Sequence, residues 1–425
     1  MPRRRPSFAT YARRRWRVVG LLLVLLAGSL LILAITDRGH DPLWQARGAA
    51  LEQATLSPRG DAVYALAKEE DNISRLEARR ASDGHLLWQS PLSATHALLV
   101  AGDDGVALAT DFPLAYLTYY GADGRVRFQV PLEGVPRAMA VEGTRVALAL
   151  QAPANPVLVF EGGNVTHVHA FGSFVNAIDL RGGNLAAGTG GGELRVAEAT
   201  SGRVLYNGSF GAAVRSLRLE GDGRSVLAGG AGILAGDLSG ALAFVDLDSP
   251  EPLRWTKRTE SGVSFVALDR AGVCALAVEE GPPRDVLLMM EARTGQPRWS
   301  RDVAGGLAQG DSGGGVSLSA GCQTVVVGTL HGGLAAYRAS DGAPLWTYRA
   351  EGMTLVGHAA QADGLFVADG RLNSGAEDPG VFLFDAAREP LSGQLPALAL
   401  LVTATLAAGG ALVLGVGYWR VRRTD

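Results

Sequence analysis

The residues best suited by type to do chemistry are a serine, two histidines, two cysteines and a set of loop carboxylates. Gly310-Asp311-Ser312-Gly313-Gly314 fits Gly-x-Ser-x-Gly, the pattern that exposes a serine hydroxyl for acyl transfer. That chemistry needs a histidine base and a sharp turn from strand into helix. No His-bearing partner motif stands upstream and no helical pattern follows, so the stretch reads as a glycine-rich connection. His167 and His169 fall on one face of a strand, as metal ligands do. His167 also occupies a repeated ring position, described below, and both read as packing. Gly188-Thr189-Gly190-Gly191-Gly192 has no helix after it, so it is a hairpin turn and not a phosphate cradle.

Cys274 and Cys322 are the only cysteines. Two readings stand: a bridge between neighbouring repeats in an oxidising exterior, or two small buried side chains. Asn72, Asn164 and Asn207 each open an Asn-x-Ser/Thr sequence in or beside a predicted turn and are the candidate N-glycosylation sites. Glu69, Glu70, Asp71, Glu279, Glu280, Asp285, Glu377 and Asp378 gather in the longer connections. Solvated loop charge accounts for them more simply than a cation site or a basic partner. No catalytic, cofactor-binding or metal-ligating constellation is expected from these residues.

The elements that position them are set by a repeat. Ala81-Ser82-Asp83-Gly84-His85-Leu86-Leu87-Trp88 returns as Ala292-Arg293-Thr294-Gly295-Gln296-Pro297-Arg298-Trp299 and as Ala339-Ser340-Asp341-Gly342-Ala343-Pro344-Leu345-Trp346. Each phrase reads as a tight turn, where glycine accepts φ > 0, opening a strand that carries a large ring. Looser copies bring the ring series to Trp44, Trp88, Phe128, His167, Tyr206, Trp255, Trp299 and Trp346, stepping by 39 to 49 residues. A second series of turn signals interleaves with it, at Ser57-Pro58-Arg59-Gly60, Gly102-Asp103-Asp104-Gly105, Gly143, Gly183, Gly223, Gly272, Gly321 and Gly364, each before an apolar run. Two interleaved series of eight, at a spacing that suits four short strands, predict an all-β chain folded as an eight-bladed β-propeller.

The last unit has three predicted strands and no aromatic fourth, whereas Pro42-Leu43-Trp44-Gln45 is an aromatic strand with no unit of its own. The ring is therefore expected to close by an N-terminal strand, with Trp44 completing the eighth blade and removing the open edges. Chain entry and exit then meet at one corner of the tight-turn face. The opposite face carries the longer connections, at 68–72, 110–114, 151–156, 229–240, 279–285 and 369–379, where binding most often lives.

Two apolar segments of membrane length flank the repeat, 18–36 and 395–417. Seven arginines precede the first, and Arg420, Arg422 and Arg423 follow the second. That pattern places the tails 1–17 and 418–425 in the cytoplasm and the propeller, 37–392, outside the cell membrane. No good small-x-small cleavage site follows the first segment, which favours an uncleaved anchor over a cleaved signal. Ala399, Thr403, Ala407, Ala411 and Gly415 line up small residues on the second segment for close helix packing. The whole chain carries a net charge of −3; its two basic tails account for +7 and +2, so the part between them carries −12. So acidic an exterior repels phosphate and excludes nucleic acid as a partner.

The phrase Ala-x-(Asp/Thr/Ser)-Gly-x-x-x-Trp resembles the repeat of the pyrroloquinoline-quinone-type propeller family, and Leu56-Ser57-Pro58-Arg59-Gly60-Asp61 looks like a WD40-type turn. The resemblance covers essentially everything between the apolar segments. It implies an eight-bladed ring with the aromatic residue docked between neighbouring blades. Members include quinoprotein alcohol dehydrogenases and a non-catalytic periplasmic lipoprotein that assists outer-membrane protein assembly. The enzymatic branch implies an adjacent cysteine pair and calcium ligands, and this chain has no Cys-Cys. The expectation is a membrane-anchored, non-enzymatic binding or scaffold module without cofactor, its partner an envelope protein, a polypeptide or a glycan. The competing expectation is a membrane-tethered quinoprotein oxidoreductase holding pyrroloquinoline quinone and calcium. A transmembrane sensor is a third class, disfavoured because the short arginine tails leave no room for an output domain.

Overall fold

The computed structural model describes residues 42–47, 50–69, 72–94, 96–111, 113–209, 211–234, 237–281, 284–303, 307, 315–319, 321–329, 333–349, 353–358, 365–372 and 380–385. Among them, thirty-two strands form eight four-stranded antiparallel sheets. Seven sheets are made of four consecutive strands each: blade 1 (50–94), blade 2 (97–131), blade 3 (135–169), blade 4 (175–209), blade 5 (213–259), blade 6 (262–303) and blade 7 (316–349). Blade 8 takes Met353–His358, Leu365–Leu372 and Gly380–Asp385, and Trp44–Arg47 completes it from the other end of the described chain. Trp44 lies opposite Leu383 and Gln45 opposite Phe382, so the ring closes on an antiparallel ladder.

Each blade presents both faces to neighbours, and the strand sequences follow from that. The second strand of blade 3, Arg145–Gln151, is buried from Val146 to Leu150, hence its unbroken apolar run. The fourth strand of blade 1, Leu86–Ala94, lies at the rim and alternates between exposed and half-buried positions. Alternate residues of one strand serve opposite neighbours. Val63, Ala65 and Ala67 pack with Val381 and Leu383 of blade 8, whereas Tyr64 and Leu66 pack with Leu99 and Leu108 of blade 2. Eight such inter-blade clusters ring the axis among the described residues, one at every junction.

With four antiparallel strands per blade, turns between strands one and two and between strands three and four share a face. Those are the two interleaved turn series of the sequence. The loops between strands two and three, and the links between blades, occupy the other face. Residues 229–234 and 237–240, expected as part of a longer connection, are paired strand instead: Ser225–Leu234 and Asp237–Asp246 stay in register from Ser225↔Asp246 to Leu234↔Asp237. Glycine makes that pairing compatible with the ring, because a Cβ on Gly230 would stand 1.9 Å from the Ala213 carbonyl oxygen of the inner strand.

Segments 1–17, 18–36, 395–417 and 418–425 lie outside the described residues, as do Gly310-Asp311-Ser312-Gly313-Gly314, Glu70, Asp71, Glu377 and Asp378. No helix among the described residues is long and apolar enough to cross a membrane.

Candidate functional site: the central channel and the loop face

The inner strands of the blades surround a channel with a cavity of about 340 Å³. Its lining is set by a repeated irregularity. The ladder slips by one residue between Pro136 and Ala138, Val175 and Ala177, Val214 and Ser216, and Val263 and Phe265, always at the same place in the inner strand. The same slip occurs in blade 1 between Leu51 and Gln53. A bulge re-aims the unpaired side chain. Arg137, Asn176, Arg215 and Ser264 are the residues skipped in blades 3 to 6, and all four line the channel at its loop-face end.

Several polar groups of the channel are already used to join neighbouring inner strands. Gln53 donates to the Leu99 carbonyl at 3.0 Å and accepts from the Leu99 amide at 3.0 Å. The buried Asp179 accepts from Leu180 N–H at 2.9 Å and, across the junction of blades 4 and 5, from Leu219 N–H at 2.9 Å. The Ser216 hydroxyl accepts from Val266 N–H at 3.1 Å, and the Asn176 amide donates to the Val214 carbonyl at 3.1 Å.

Among the described residues lining this cavity, positive charge predominates. Arg137, Arg181, Arg215, Arg218 and Arg270 line it, and Asp179 is the one carboxylate among the described lining residues. Arg215 reaches Glu280 at 3.2 Å, and Arg181 stands 3.8 Å from Asp179. Arg218 is partly buried, with its guanidinium carbon 5.7 Å from the Phe265 ring centroid. Burial pulls its pKa below the usual range, Asp179 opposes the shift and Arg181 adds to it. These arginines escaped the sequence reading, although Arg137, Asn176 and Arg215 each stand six residues before the glycine of the first turn, Gly143, Gly182 and Gly221.

At the loop face, Glu280 pairs with Arg215, and the Asp285 carboxylate accepts from Leu307 N–H at 2.8 Å. Burial raises the pKa of Glu279, Lys257 opposes and Glu260 reinforces it. Leu114 and Phe174 are exposed apolar side chains on this same face, 62% and 46% accessible.

The ring residues lie on the opposite, tight-turn face and join blades. Trp44, Trp88, Trp255 and Trp299 donate their indole N–H to the carbonyls of Ala81, Ala122, Ala292 and Ala339 in the next blade, at 2.6, 2.9, 3.0 and 2.8 Å. A Cβ on the turn glycine of that blade would crowd the ring: 2.7 Å for Gly124 under Trp88, 3.1 Å for Gly163 under Phe128 and 2.7 Å for Gly202 under His167. Tyr206 packs into the cluster between blades 4 and 5, and Trp346 stacks on Phe384 of blade 8 at 5.9 Å.

The His167 and His169 rings stack at 6.4 Å. No group of three His, Cys, Asp or Glu side chains among the described residues converges as metal ligands would. Cys274, at the start of the second strand of blade 6, and Cys322, in the first turn of blade 7, form a disulfide with Cα atoms 6.2 Å apart. Asn164 and Asn207 are exposed on fourth strands, while the side chain of Asn72 lies outside the described residues.

A family model described as outer membrane protein assembly factor BamB (PQQ_2) matches residues 69–277 and 283–410. No curated protein matches the chain. Among solved structures, the computationally designed Ika8 protein superposes with a TM-score of 0.59 at 17% identity, covering 81% of this chain and 100% of its own. That likeness speaks for the fold alone.

Proposed function

The chain belongs to the PQQ_2 family, described as outer membrane protein assembly factor BamB, and from that premise we propose that it is a non-enzymatic binding or scaffold module. The observation that carries the reading is the commitment of the channel's polar groups. Gln53, Asn176, Asp179 and Ser216 hold inner strands together and so are poor candidates for moving protons in a reaction. The loop face, with Leu114 and Phe174 exposed, is the surface offered to a partner. That partner is a protein or polypeptide of the cell envelope. Segments 18–36 and 395–417 anchor the chain in the membrane with both tails in the cytoplasm. The described chain enters at Trp44 and leaves beside Leu383, so both ends of the propeller lie on the tight-turn face and the loop face is the one left for a partner.

Quinoprotein dehydrogenases are the other branch of this kind of propeller, and the calcium and adjacent cysteine pair they use are not matched by the donors among the described residues. Asp179, the one carboxylate among the described residues lining the cavity, is held by two backbone amides, and both cysteines are used in a bridge between blades 6 and 7. Cross-linking in intact membranes followed by capture of the full chain tests the assignment. A defined envelope partner, lost in Leu114→Glu and Phe174→Glu, is the expected result. Stoichiometric binding of pyrroloquinoline quinone with calcium, together with dye reduction, would overturn it.

A further inference from the structure

The arginines of the channel are not explained by holding a partner on the loops. The domain carries an excess of negative charge, yet among the described lining residues of this cavity five arginines stand with one carboxylate, and Asp103 and Glu142 lie beside Arg181 and Arg270 at the tight-turn end. Enclosure between low-dielectric walls focuses such a field on whatever enters. Arg137 and Arg215 are placed there by bulges at equivalent positions of blades 3 and 5, with Asn176 on the blade between them. Arg218 sits three residues deeper on the same strand as Arg215. Its hydrogen bond among the described residues runs from Nη1 to the Leu217 carbonyl at 2.9 Å. A guanidinium carries five N–H donors in a planar fork, so most of those on Arg218 remain for a ligand. Arg137, exposed to the channel, has no carboxylate partner among the described residues.

We propose that the channel binds a small multivalent anion, a polycarboxylate or a polyphosphate, held by Arg137 and Arg215 at the mouth and by Arg218 beneath them. Charge dictates the anion, and arginines at two depths on two blades call for more than one anionic group. The cavity volume of about 340 Å³ limits the size to a small molecule. Glu280, now on Arg215, is the internal carboxylate such a ligand displaces or extends. The anion site rests on channel arginines and the partner surface on Leu114 and Phe174, so either assignment can fail without the other.

Calorimetric titration of the detergent-extracted full chain with citrate and, separately, with inorganic pyrophosphate tests this against acetate at matched ionic strength. Saturable one-to-one binding of either probe is expected, with acetate silent, and the probe that binds more tightly identifies the class of anion. Arg137→Gln and Arg218→Gln should each weaken it about tenfold, as loss of a charge-assisted hydrogen bond does. Arg125→Gln, at an exposed rim turn, should leave it unchanged. Arg137 is exposed, so its variant reports even if Arg218→Gln fails to fold. Absence of saturable binding with both probes, or affinity unchanged in Arg137→Gln, would overturn the proposal.

Discussion

The Trp299 indole of blade 6 lies over Gly342 in the turn of blade 7, so close that a Cβ on the glycine would stand 2.9 Å from the ring. The same indole donates to the Ala339 carbonyl at 2.8 Å, three residues upstream of that glycine. One phrase thus supplies both halves of a junction. Its alanine carbonyl and glycine receive the ring of the preceding blade, and its own tryptophan goes on to the next.

Gly342 also has φ +70°, so Gly342→Ala meets backbone strain and a steric clash together. A loss of about 2–4 kcal/mol is expected. In a Trp299→Ala background the clash disappears and the penalty shrinks toward the backbone component. A double-mutant cycle by thermal unfolding measures the difference; equal penalties in both backgrounds would remove the ring from the account.

Ring closure rests on Trp44–Arg47 pairing with Gly380–Asp385. Trp44→Ala deletes the indole bond to Ala81 and the packing against Leu383 and Val381. About 3 kcal/mol of stability goes with it. Amide hydrogen exchange should quicken across 380–385 before it does in blades 3 to 5. Unchanged protection at 380–385 would count against closure as the weak link.

The Cys274–Cys322 bridge spans 48 residues and staples blade 6 to blade 7. A cross-link of that span restrains the unfolded chain by about 4 kcal/mol. Reductant should therefore lower the Tm, and a denaturing thiol assay should find free thiols only after reduction. Two free thiols in the untreated protein would refute the bridge.

Burial first, then the nearby Arg195 and His167, hold the pKa of His169 below its ordinary 6.5. In the unfolded chain the imidazole takes up a proton near 6.5, which the folded state resists. Stability is therefore full above about pH 6.5 and declines as pH falls below it, until the folded imidazole also protonates. His169→Gln should flatten that limb of the Tm–pH curve. An unaltered slope would assign the acid sensitivity to other groups.

Much of this architecture was legible because it rests on local demands. Gly84, Gly124, Gly295 and Gly342 answer a backbone with φ > 0, and a residue type that the backbone requires shows in sequence wherever the turn recurs. Counting rings against apolar runs was enough to place Trp44 in the last blade. The stretch 229–240 was misread because glycine signals both a turn and a close approach between strands, and only the register tells them apart.

Residue types and repeat spacing are enough to read off the number of blades, their turns, the residues that dock one blade on the next and the two apolar flanks. Which side chains face the axis depends on how the strands pair in three dimensions. A one-residue slip in the inner strands re-aims Arg137, Asn176 and Arg215 into the channel, and a slip in register leaves no mark on composition or period. Likewise, the partnership of Cys274 with Cys322 needed coordinates, since a second-strand residue and a first-turn residue 48 positions apart meet only when neighbouring blades stack.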